Sequence, residues 1–215
     1  MTVVSCSKVP TLRRCYIDVT VSGRPTIDEA LGPALLDAAH RAIERHGWHD
    51  ATLERIAAEA GVSRMTLHRH QVSREGVLRG LAERLERQHR EAMQEVLAAP
   101  GDARARLRAC LEAECALAEE NLALSEALGS SARDAIYHEA GSPALTRESF
   151  TAPYRRLLLE GAADGSLEAV DAAETATVLL NLVGHTYRHL RQGHEWDADR
   201  ALRAVCDIAL DGVTT

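Results

Sequence analysis

Aromatic side chains are scarce in this chain, 3% of 215 residues: one Phe, two Trp and four Tyr. β-branched residues form no long cluster after residue 30, so there is little from which to build the half-buried surface of a sheet. Ala, Leu, Glu and Arg dominate instead, the composition of an all-α protein. No apolar run is long enough to span a bilayer. The leading MTVVSCSKVPTLRRCY lacks the continuous apolar stretch of a secretion signal. A cytoplasmic protein with no membrane partner is expected. The five cysteines are odd in number and contain no CxxC pair, so neither a zinc site nor a disulfide framework is indicated. HExxH, a phosphate-binding glycine loop and a nucleophile elbow are all missing. No catalytic residue, resident metal or cofactor is assigned.

Positive charge is also in short supply. The formal net charge is −7, which works against indiscriminate attraction to nucleic acid. The balance is uneven along the chain. Residues 1–27 set Lys8, Arg13, Arg14 and Arg24 against Asp18, a balance of +3, and residues 28–95 set ten Arg against twelve acids, −2. Residues 96–215 set eleven Arg against nineteen acids, −8. The acidity therefore sits mainly in the C-terminal part.

What is present is concentrated between Thr52 and Glu75, TLERIAAEAGVSRMTLHRHQVSRE. Two short helical patterns flank Gly61-Val62-Ser63. Gly61 suits the positive φ that ends one helix, Val62 can plug the junction, and Ser63 can cap the next. This is the pattern of a helix-turn-helix, whose second helix enters the DNA major groove. Its exposed face is expected over Arg64–His70, with Leu67 turned inward. Arg64 can reach guanine or a phosphate, Met65 a thymine methyl, and Thr66, His68 and Arg69 other base edges. The hydroxyls of Thr52, Ser63 and Ser73 and the guanidinium of Arg74 stand at helix starts, where phosphates are held.

The pattern Thr-Leu-x-x-Ile-Ala, Ala-Gly-Val-Ser, Thr-Leu-x-x-His resembles the N-terminal domain of TetR-type repressors, in detail over about Pro33–Leu85. The resemblance implies a three-helix DNA-binding domain followed by a helical ligand-binding and dimerisation domain. It also implies a homodimer on a double-stranded operator, released by a small-molecule effector. Two positions depart from the family: His68 replaces a tyrosine, and Gln71 replaces the phenylalanine that plugs the corner after the recognition helix. A differently packed corner is expected. Ser22-Gly23-Arg24-Pro25 resembles the family's basic lead-in. Either Arg24 reaches the minor groove or the leader makes no contact.

The expected organisation is a basic arm over 1–27, a DNA-binding domain over 28–77 and a ligand-binding and dimerisation domain over 78–215. Thr52, Asp171 and Asp197 read as helix caps, Ser73 opens a helix and another starts near Asp102, and Ser142-Pro143 reads as a further helix start. Polar residues interrupt the apolar faces of the middle helices at Glu114, Asn121, Ser125, Arg133, Tyr137, His138 and Tyr154. They are the candidate effector contacts, with a moderately apolar molecule as the default. Ala152–Leu159 and Ala176–Leu190 are the most apolar late helices. Leu157, Leu158, Val178, Leu182, Val183 and Thr186 are the candidate dimer contacts in a two-fold four-helix bundle. A rival reading is a small helical enzyme with a metal near His185 and His189, four apart on one face.

Overall fold

Gly32 opens the first helix of a computed structural model that describes residues 32–128, 138–139, 142–146 and 148–213. The helices are α1 (Gly32–Asp50), α2 (Leu53–Glu59), α3 (Arg64–Arg69), α4 (Arg74–Ala98), α5 (Ala103–Glu120) and α6 (Leu122–Ala127). A two-stranded antiparallel ribbon follows, β1 (His138–Glu139) with β2 (Ser142–Thr146). The last helices are α7 (Glu148–Asp164), α8 (Ala172–Gln192) and α9 (Ala198–Asp211). The all-α reading holds, and the ribbon is its one departure among the described residues. Among those residues no helix is long and apolar enough to cross a membrane.

Short polar side chains start the helices as expected, each accepting the orphan backbone N–H groups of a first turn. Thr52 accepts from Arg55, Ser63 from Thr66, Ser73 from Gly76, and Asp102 from Ala105. Asp171 accepts from both Ala173 and Glu174, and Asp197 from Arg200. Ser142-Pro143 does not follow this rule. It lies in β2, and the helix begins only at Glu148. Pro143 has no N–H to give a ladder, which a ribbon with two free edges tolerates. The cap-like dipeptide is thus equally at home in an edge strand. The weakly alternating stretch Tyr16–Val21 and Arg24 lie outside the described residues.

Two apolar cores result. The first joins α1, α2, α3, the start of α4 and α6 through Leu35, Ile43, Ile56, Leu67, Leu81 and Leu124. The second joins the end of α4 with α5, α7, α8 and α9 through Met93, Leu107, Leu111, Tyr154, Leu179 and Val205. Helix α4 belongs to both, with Val77, Leu81 and Leu85 in one and Met93 in the other. Helix α6 lies beyond α5 in sequence yet docks on α1.

Candidate nucleic-acid interface and internal polar site

The turn between α2 and α3 explains how α3 is presented. Gly61 takes φ +68, where a side chain would be strained. Val62 is half-buried against the first core, and its N–H donates to the Ala57 carbonyl. Ala57 is 3% exposed and leaves room for this close crossing. Leu67 is the one buried residue of α3, at 1% exposure. It pins the helix while Arg64, Met65, His68 and Arg69 remain exposed and Thr66 half-exposed. Met65 is 65% exposed, its apolar side chain turned to the same outer side as Arg64.

Arg64 is not idle. Its Nη1 lies 2.6 Å from Glu54 Oε1 of α2. Glu54's own backbone N–H, with the Arg64 charge as a lesser cause, holds its carboxyl below the usual range. With both side chains so exposed, the pair stabilises the fold little. The Thr66 hydroxyl lies 2.9 Å from Ser63 Oγ, so the cap and the first turn of α3 share one hydrogen-bonded unit.

Arg74 has a place within the fold as well as at a helix start. Its guanidinium donates to the Trp48 carbonyl and lies 4.2 Å over the centre of the Trp48 ring. It is half-buried and fastens the end of α1 to the start of α4, so it is a structural cation. The corner after α3 is also built differently. Gln71 is exposed with φ +54. Val72 is the residue packed on the core, its N–H donating to the Leu67 carbonyl.

The candidate effector contacts divide. Glu114 of α5 and Tyr154 of α7 come together inside the second core, at 8% and 0% exposure. Glu114 Oε2 lies 3.1 Å from His89 Nε2 on α4 and 3.5 Å from the Tyr154 hydroxyl, which also reaches the Cys110 carbonyl at 3.5 Å. Burial above all, and then the Glu114 charge, pushes the Tyr154 hydroxyl far above its ordinary range, so it stays a donor. Glu114 Oε1 faces Gly184 of α8, where an added Cβ would stand 4.0 Å away. Gly184 therefore faces α5 of its own chain, and a Cβ there would make ordinary contact. Asn121 is buried but occupied at the α5–α6 junction, where its amide donates to the Leu117 carbonyl at 2.8 Å. Ser125 is half-buried on α6. His138 lies in β1, and Arg133 and Tyr137 fall outside the described residues.

Sequence reasoning missed His89, which is 3% exposed and stacks edge-on against Phe150 with ring centres 4.9 Å apart. Its spacing from Leu85 and Met93 places it on the apolar stripe of α4, and that was the available signal. Burial pushes the Cys110 thiol up to about 12. The Cys115 thiol is also raised, first by its hydrogen bond with Cys206 and then by burial. Both thiols are therefore poor nucleophiles.

Among the candidate dimer contacts, Leu157, Leu158 and Val183 are at most 1% exposed and belong to the core of a single chain. Leu182 and Thr186 are half-buried, and Val178 is 61% exposed. Leu159, at 58%, was not anticipated. The inward face of α7 takes Leu157 and Leu158 and then Gly161, and leaves Leu159 outside. Around the rival metal site, His185 lies against Arg188 at 2.9 Å and His189 stacks on His194. Among the described residues no three or more His, Cys, Asp or Glu side chains are grouped to hold a metal.

Residues 35–81 match the family model of bacterial regulatory proteins, tetR family. Solved structures similar to this chain include a TetR/AcrR family transcriptional regulator of Thermobifida fusca (23% identity over 84% of this chain and 97% of that one, TM-score 0.64). A TetR transcription regulator of Haloarcula marismortui is 21% identical over 87% of this chain and 100% of that one, TM-score 0.67. The SmeT repressor of a Stenotrophomonas maltophilia multidrug efflux pump is 20% identical over 87% and 92%, TM-score 0.63. At these identities the likeness is one of fold. No curated protein matches the chain's sequence.

Proposed function

We propose, from the tetR-family match over residues 35–81 and the likeness of fold, that this chain is a TetR-type transcriptional regulator, a homodimeric cytoplasmic repressor that a small molecule releases from an inverted-repeat operator. The observation that carries the reading is α3 itself. One buried leucine anchors it, and its arginines, His68 and Met65 face outward together. A short helix with so little of its own surface buried has no structural reason to carry that face, and the width of a major groove accepts it. In this reading Arg64, Met65, Thr66, His68 and Arg69 meet bases. The hydroxyls of Thr52, Ser63 and Ser73, along with Arg24, meet phosphates or the minor groove. Arg74 keeps its structural place and contributes only by fixing α4.

The DNA-binding unit is proposed over 28–77 and the effector and dimer unit over 78–215, with α4 shared between their cores. The effector lies among α4, α5 and α7, where Glu114, His89 and Tyr154 supply hydrogen-bonding groups within apolar surroundings. The protein has no catalytic turnover. Bound sequences are selected from random DNA, and the best is titrated at fixed salt. Replacing Arg64 and Arg69 by Ala should cost about 1–3 kcal/mol for each guanidinium that reads a base. Unchanged binding by the double variant would overturn the assignment. Metal-dependent hydrolysis lost in His185→Ala would instead favour the enzyme reading.

A further inference from the structure

Between α4 and α7 lies a cleft of about 180 Å³ that the effector candidates do not line. Its floor is apolar, made by Met93 and Leu97 of α4 and by Ala152 and Pro153 of α7, and its rim carries Arg90 and Arg156. Among the described residues no acidic side chain lines it. We propose that this cleft binds a small amphipathic anion, with an apolar tail on the Met93–Pro153 floor and a carboxylate between Arg90 and Arg156.

Three observations support this occupant. The first is local charge. Glu160 is shared by Arg106 and Arg156, each at 2.7 Å, so one carboxylate serves two guanidinium groups. Arg90 reaches Glu86 only at 3.5 Å, and is 53% exposed there. Three guanidinium groups, Arg90, Arg106 and Arg156, thus face the two carboxylates of Glu86 and Glu160 in a chain whose net charge is −7. The second is the backbone. Pro153 sits inside α7 and has no N–H for the Ser149 carbonyl, so one rung of the helix's hydrogen-bond ladder is missing at the cleft itself. The third is size. The volume falls below the roughly 300–1,000 Å³ of drug-sized sites, which favours a short-tailed molecule over a polycyclic one. A guanidinium matches a carboxylate with paired donors, whereas an ammonium head would meet two like charges.

Sodium octanoate is the probe, with octylammonium chloride and octanol as controls of the same tail, all below their micelle concentrations. Equilibrium dialysis and thermal shift are measured on the full chain without DNA. Octanoate should bind saturably and raise the melting temperature, and octylammonium should not. Arg90→Gln with Arg156→Gln should weaken octanoate by about tenfold or more, as expected when charge-assisted hydrogen bonds are lost. Ala152→Trp, which fills the cleft and leaves both arginines, should also block it. Equal binding of octylammonium, full binding by the double variant, or no saturable binding would each overturn the proposal. So would octanoate affinity that falls as protein concentration rises, which would assign the cleft to a second copy of the chain. Operator titration with octanoate is a separate arm. Binding without any change in operator affinity keeps the cleft and removes it from the regulatory reading.

Discussion

Gln71 occupies the left-handed region at φ +54, where a residue with a Cβ is strained. Its side chain is exposed and Val72 fills the corner, so nothing in the packing recovers that strain. Gln71→Gly should therefore raise stability, by about 0.5–1 kcal/mol after the added freedom of the unfolded chain is counted. Urea denaturation checks the sign, and a lowered midpoint would mean that the glutamine side chain contributes more than its backbone costs. The family pattern shows that a phenylalanine is missing here, but only the fold shows which neighbour replaces it. Arg74 teaches the same point. A guanidinium at a helix start reads as a phosphate contact until the chain brings Trp48, 26 residues earlier, beneath it.

Helix α7 ends where Leu167 folds back over it. A Cβ placed on Gly161 would stand 2.5–2.9 Å from three carbons of Leu167, one of them the Leu167 Cβ. Alanine would gain about 1 kcal/mol of helix preference. It would also have to push a buried leucine out of position, and overpacking costs about 1–3 kcal/mol. The clash wins, so Gly161→Ala should lower the thermal midpoint, and a raised midpoint would show that the Leu167 turn yields freely. The elements most legible in the sequence were those with a polar cap and a clear stripe: α2, α3, α4, α5, α8 and α9. Local hydrogen bonds decide their starts, and residues three and four apart decide their faces. Two features were not legible, the late start of α7 and the docking of α6 on α1. The first depends on a ribbon pairing and the second on a contact between distant segments, and no local pattern encodes either. Glu114 and Tyr154 were legible because polar groups on apolar faces are costly to bury and stand out. His89 has the same signature but passed as one more residue of a long amphipathic helix.

At the scale of the whole molecule, a single chain leaves Leu159 of α7 and Val178 of α8 more than half exposed, while Leu157, Leu158 and Val183 are consumed in its own core. This separates two kinds of substitution within one short stretch. In the proposed homodimer, Leu159→Glu with Val178→Glu should give a folded monomer, seen as a lower sedimentation coefficient at micromolar concentration with unchanged helix content. Leu157→Glu should unfold the chain instead, because a charge would enter a sealed core. If the first pair sediments as the unaltered protein does, the two-fold contact lies elsewhere. Helix α4 carries a further consequence. It is one uninterrupted rod of 25 residues, gripped at its middle by the His89–Glu114 contact and free of the second core toward Ser73. At 1.5 Å per residue, the arm from His89 to Ser73 is about 24 Å long. A pivot of about 5° at that fulcrum sweeps its tip by about 2 Å, more than a hydrogen bond to a base edge tolerates. In the proposed repressor, a disturbance too small to disrupt the packing around His89 is thus large by the time it reaches the groove.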